Sequence, residues 1–157
     1  MLKRLSVLFT VGIVLFLVAC GGRTETTTRC VVDGIDFYGE ILPGSMETEI
    51  DAVGDRVTAT RQRWTFDLSE DVEDIEISEL VAILEEEIEL MLMFAVDGIT
   101  SEIAAVTDTS VTWLTTTDFD AMSEEDLQSY LQGYDFISLE LTVEQLESDG
   151  ATCVVAP

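Results

Sequence analysis

Cys30 and Cys153 constrain this chain more than any other feature, because they stand at the two ends of a stretch with room for only one domain. If they are joined, the first and last segments of that domain must be neighbours, and everything between must fold back to allow it. With Cys20 assigned to another chemistry below, two thiols remain. With no histidine and no third cysteine beside them, they make a poor metal site. Exported compartments permit disulfides. We read Cys30–Cys153 as a structural bridge, worth about 4–5 kcal/mol in the chain-entropy model for so long a loop. The alternative is a pair of free thiols.

The export reading comes from the N-terminus. Met1-Leu2-Lys3-Arg4 is a short basic segment, and Leu5 to Val18 is an apolar run broken only by Ser6, Thr10 and Gly12. That run falls short of the roughly 18 apolar residues that argue for a membrane-spanning helix. It ends in Leu17-Val18-Ala19-Cys20, which resembles the lipobox of bacterial lipoproteins. The resemblance implies diacylglycerylation of the Cys20 thiol and cleavage after Ala19, and two or three acyl chains suffice for stable anchoring. Residues 1–19 are therefore expected to be a cleaved signal peptide. Residues 20–29 would be the lipidated cysteine and a polar tether, and residues 30–157 a single extracytoplasmic domain. The domain would sit on the outer face of the cell membrane, or at the outer membrane of a two-membrane host. Gly21 is not the Asp that commonly retains lipoproteins at the inner membrane.

The chain carries 32 Asp and Glu against 7 Lys and Arg, with no His. Removing residues 1–19 takes away Lys3 and Arg4 and moves the net charge from -25 to about -27, leaving a mature chain without lysine. Such a charge repels phosphate backbones and anionic headgroups, which excludes nucleic acid as a partner. Acidic, lysine-free, threonine-rich surfaces resemble those of proteins from salt-loving organisms, where salt screens self-repulsion. At 47% hydrophobic residues the chain can still bury a core.

Between the cysteines the pattern predicts an α+β domain, an antiparallel sheet of about five to six strands packed on one long helix plus short helices. Cys30 to Phe37 reads as a strand. Met46, Thr48, Ile50 and Ala52 alternate with Glu47, Glu49 and Asp51, as in a strand with one wet face. Gly54-Asp55 turns the chain into a strand over Arg56 to Phe66. A three-residue loop there would oppose Glu47 with Arg61 and put Trp64 on the face of Met46, whereas a two-residue loop would not. The main helix spans about Ser78 to Phe94, with Leu80, Ile83, Leu84, Ile88, Met91 and Leu92 at helical spacing. Ile99 to Val106 and Val111 to Thr117 form a second strand pair, and a weaker helix covers Ser123 to Gln132. Thr142-Val143-Glu144-Gln145 has the form of a capping box for a short helix ending at Gly150, ahead of a last strand over Ala151 to Val155.

This order resembles the YehR-like family of small bacterial lipoproteins. The pieces that carry the resemblance are the lipobox, Gly54-Asp55-Arg56-Val57, the long helix, Asp97-Gly98-Ile99, Asp118-Phe119-Asp120, and Leu139 to Gly150 before the final strand. It implies an α+β domain with antiparallel strands. The family has no established activity, so it supplies no catalytic residue. The missing lysines depart from its pattern, and the cysteine pair is not something the resemblance predicts.

Tests for chemistry are mostly negative. Without His there is no Ser–His or Cys–His arrangement, and without mature lysines no Ser–Lys pair. No glycine-rich phosphate loop occurs, and we expect no cofactor, no dedicated metal site and no enzyme. Asp67 to Asp74, and Asp118-Phe119-Asp120 with Ser123 to Asp126, are dense in oxygen donors but lack the EF-hand pattern, which leaves weak calcium binding as an alternative. A hydrolase built on paired carboxylates is the remoter one. Arg56, Arg61 and Arg63 suit neutralisation of neighbouring carboxylates better than an anion pocket, and Trp64 and Trp113 suit core packing better than a stacking platform. Glu87 falls inside the apolar arc of the main helix, which makes it the candidate functional carboxylate unless it leans to the rim or meets Arg61 or Arg63. The expected role is a lipid-anchored binding or structural module with an unidentified protein or small-ligand partner.

Overall fold

The computed structural model describes residues 24–37, 40–69, 76–131 and 133–156. Residues 1–19, expected from the sequence to be a signal peptide, Cys20 and most of the acidic stretch from Asp67 to Asp74 lie outside the described residues. The elements are β1 (Glu25–Phe37), β2 (Glu40–Val53), β3 (Arg56–Asp67), α1 (Ile77–Met93), β4 (Ile99–Val106), β5 (Ser110–Asp118), α2 (Glu124–Leu131), α3 (Leu139–Ser148) and β6 (Thr152–Val155). The six strands form one sheet in the order β4-β5-β3-β2-β1-β6, with every neighbouring pair antiparallel. This is the α+β architecture that the alternation and the long amphipathic helix predict.

Side chains alternate across a strand, so one face of the sheet collects Cys30, Ile50, Phe66, Val111 and Trp113 and is covered by the helices. The buried residues fall into two groups. Leu80 and Leu84 of α1 press on Phe66, Val111 and Trp113. Cys30, Ile50, Val57, Phe119 and Met122 form the second group, with Val143 and Leu146 of α3 packed against it. Each fully buried Leu, Ile or Phe contributes roughly 1.5–3 kcal/mol relative to exposure.

Cys30 lies directly opposite Cys153 across the β1–β6 pair, with Cα atoms 4.0 Å apart, and the two form a disulfide. The bridge joins the first strand to the last, on the buried face.

The structure corrects four details of the sequence reading. β1 starts at Glu25, so residues 25–29 of the expected tether are strand, with Thr26 opposite Ala52 and Thr28 opposite Ile50. Threonine suits a pleated, half-buried surface, and the length of β2 gives it a partner there. The β2–β3 loop has two residues, Gly54-Asp55, with Val53 opposite Arg56. A bulge between the Asp51–Ala59 and Ala52–Val57 pairs then adds one residue to β3. Trp64 therefore does share the face of Met46, and Glu47 faces Arg63 rather than Arg61.

Helix α3 begins at Leu139, before the expected capping box. Ser138 is its N-cap, with Oγ accepting from the Leu141 N–H at 3.3 Å, and Thr142 lies inside the helix donating Oγ1–H to the Ser138 carbonyl at 2.7 Å. Leu92 is 41% exposed and stands outside the core that the helical spacing assigned to it, beside exposed Met93 and Phe94 where α1 ends.

Candidate functional site

The uncovered face of the sheet carries most of the charge pairing. Arg29 of β1, Glu47, Glu49 and Asp51 of β2, and Arg61 and Arg63 of β3 stand side by side there. Arg29 pairs with Glu47, which also receives Arg63 at 3.5 Å. Arg61 reaches Glu49 and Asp51 at 3.0 Å each. The hydrogen bond to Glu49 holds the Arg61 guanidinium even more firmly protonated than usual. These partners are half-exposed, and such pairs contribute about 0–1 kcal/mol each. The arginines neutralise the strand carboxylates, as their positions suggested. Arg56 does the same off the sheet, pairing with Asp120.

Glu87 is half-buried on α1. Arg61 and Arg63 cannot be the partners suggested for it, because they project from the opposite face of the sheet to Phe66 and the helix over it. Trp64 and Trp113 are packing residues. Their rings meet edge to face with centroids 4.0 Å apart, and the Trp113 Nε1–H donates to Ser101 Oγ at 2.6 Å.

The described oxygen-rich stretches are occupied by their own backbone. Asp118 Oδ1 accepts from the N–H groups of Asp120 and Ala121 at 3.0 and 3.1 Å, and Ser123 and Asp126 cap each other at the start of α2. Among the described residues no group of three or more potential ligands converges.

Among the described residues two carboxylates have displaced ionisation, and both are displaced downward. The Ser69 side chain and N–H hold Asp67 below the usual range. Asp55, at the hairpin tip, is held down by the Glu140 N–H at 3.0 Å, then by the Ser138 hydroxyl and the Leu139 N–H. It thus caps α3 from a distant strand turn, where a negative charge also suits the helix dipole. A depressed carboxylate stabilises the fold above its unfolded pKa, and that stability is lost as pH falls through the folded value. Asp55→Ala should therefore lower the melting temperature at neutral pH. The deficit should shrink once pH drops well below the ordinary carboxylate range, a pattern that thermal melts across acid pH would test.

An open concavity lies between α2 and α3. Its volume is about 490 Å³, and Tyr130, Leu131, Tyr134, Phe136, Leu141 and Leu146 supply its apolar lining. Among the described residues no charged side chain lines it, in a chain of which 25% is charged. Leu131 is buried at its floor, and Tyr130 is braced edge to face on Phe119 with centroids 5.4 Å apart. The rim is open: Tyr134 is 69% exposed, Leu141 59%, Tyr130 50% and Phe136 43%. The sequence reading weighed acids and tryptophans and passed over this cluster. Its signal was the placement of two of the chain's three tyrosines close together at the end of a short helix.

No known family model matches the sequence, and no curated protein does. Two solved structures share the fold. A protein from Streptococcus pneumoniae TIGR4, determined by NMR, is 14% identical over 83% of this chain and 86% of its own, with a TM-score of 0.52. The E. coli YehR protein, also determined by NMR, is 15% identical over 85% of this chain and 93% of its own, with a TM-score of 0.53. At these identities the likeness is one of fold, and it agrees at that level with the family resemblance of the sequence. No site residue comes from them.

Proposed function

We propose that the chain is exported, acylated on Cys20 and held at the outside of a membrane, where its domain acts as a binding module. The observation that carries the binding role is the exposed, uncharged groove between α2 and α3. An acidic protein has no solvation reason to leave two tyrosines, a phenylalanine and a leucine together on its surface. Two further features support the reading. The Cys30–Cys153 bridge suits an oxidising, extracytoplasmic compartment. The carboxylates with displaced ionisation are held charged by turn and cap hydrogen bonds, the opposite of what a general acid near neutral pH requires.

Replacing the acylated residue is the direct test. Cys20→Ala in the native host should abolish incorporation of labelled fatty acid, move the protein from the detergent phase to the aqueous phase, and leave an uncleaved or mis-sorted precursor. Normal membrane retention of that variant would remove the anchor from the account.

A further inference from the structure

We propose that the groove between α2 and α3 seats on the bilayer to which the chain is tethered, its aromatic rim lying among the headgroups. The inference rests on acylation of Cys20 and adds to it an orientation for the domain.

The Thr24 carbonyl accepts from the N–H of Gly54, which ties the first described residue to the β2–β3 hairpin tip at 3.0 Å. The next residue of that tip, Asp55, accepts from the Leu139 N–H through its carbonyl at 2.7 Å and from the Glu140 N–H through Oδ1 at 3.0 Å. Arg56 bridges to Ser138. Ser138 and Leu141 line the groove. The point of attachment and the apolar groove are thus both fastened to one hairpin.

Only residues 21–23 separate Cys20 from Thr24, and that span reaches roughly 14 Å at full extension. An acyl anchor would hold this end of the molecule against the membrane, at an effective concentration no free partner matches.

The chemistry of the rim fits a lipid interface. Tyrosine has an apolar body with a polar tip, and such rings favour the headgroup level. The uncharged lining leaves no charge to desolvate on contact. The acidic remainder of the domain disfavours anionic headgroups, so the surface suited to this groove is zwitterionic, or anionic with its charge screened by salt.

The test uses the full lipidated chain, reconstituted into phosphatidylcholine vesicles with and without brominated acyl chains. Tyr134→Trp places a reporter on the rim, and its added emission is read against the parent, whose Trp64 and Trp113 lie in the core. We expect that emission to shift to the blue on reconstitution and to be largely lost in brominated vesicles. A Thr100→Trp reporter, on the uncovered face of the sheet, should keep its emission. Anionic lipid should weaken the quenching of the rim reporter, and added salt should restore it.

Full emission from the rim reporter in protein that floats with the vesicles would overturn the orientation while leaving the anchor intact. Concentration-dependent self-association in detergent, abolished by Tyr134→Asp, would overturn it by giving the groove to a second copy. Protein that does not float at all would overturn the anchor reading and this inference with it.

Discussion

Replacing Cys30 and Cys153 by alanine should lower the stability of the domain by about 4–5 kcal/mol, the value expected for closing so long a loop in the unfolded chain. The bridge spans a sequence separation of 123, nearly the whole domain. For a domain of this size that corresponds to a fall in melting temperature on the order of 15–20 °C. The structural consequences should concentrate at β6. That strand has four residues, lies at the edge of the sheet and, among the described residues, pairs only with β1. Beyond its ladder with β1 it is held by the bridge, by the contact with α3, and by the Ala156 N–H bonded to the Thr27 carbonyl at 2.8 Å. Without the covalent link β6 should fray first, exposing the edge of β1 as a template for aggregation. Thermal melts of the double variant, and of the parent with and without reductant, would measure the effect, and hydrogen exchange would locate it. Melts that do not respond to reductant would show that the bridge carries no stability.

The residues that made the fold legible are those whose pattern depends only on neighbours in sequence. Met46 to Ala52 alternate and form the wet-faced strand they suggest. Leu80, Leu84 and Ile88 recur at helical spacing and face the core. Several of the misread details depend on a partner distant in sequence. Thr26 and Thr28 look like tether until β2 is beside them. The hairpin register needed the bulge at Thr58, whose hydroxyl donates to the Asp51 carbonyl at 3.2 Å. The start of α3 is set by Asp55, 85 positions away from the Glu140 N–H it caps. The candidate site was harder still. A helical wheel singled out Glu87 but could not show that Arg61 and Arg63 point to the far side of the sheet. The groove between α2 and α3 exists only once two short helices with weak periodicity are placed side by side.

Leu84→Ala should cost about 3–4 kcal/mol, toward the upper part of the range for large-to-small core changes. The cost of such a change depends on whether the surroundings can collapse into the space, and here they are held. Leu84 is fully buried on α1 among Leu80, Phe66, Val111 and Trp113. Trp113 is fixed by its hydrogen bond to Ser101 and by the edge-to-face contact with Trp64. Phe66 and Val111 sit opposite each other in the β3–β5 ladder. None of these walls can move inward without breaking a hydrogen bond or a strand pair, so most of the cavity should persist. Leu92→Ala on the same helix removes the same atoms from a residue that is 41% exposed, and it should cost less than about 1 kcal/mol. Urea denaturation of the two variants gives the comparison directly, and the near-ultraviolet signal of the tryptophan pair reports on the local packing. Equal costs for Leu84→Ala and Leu92→Ala would mean that α1 does not dock on the sheet through the face described. A large difference would show that α1 is rigidly seated, independently of what the groove at the other helices binds.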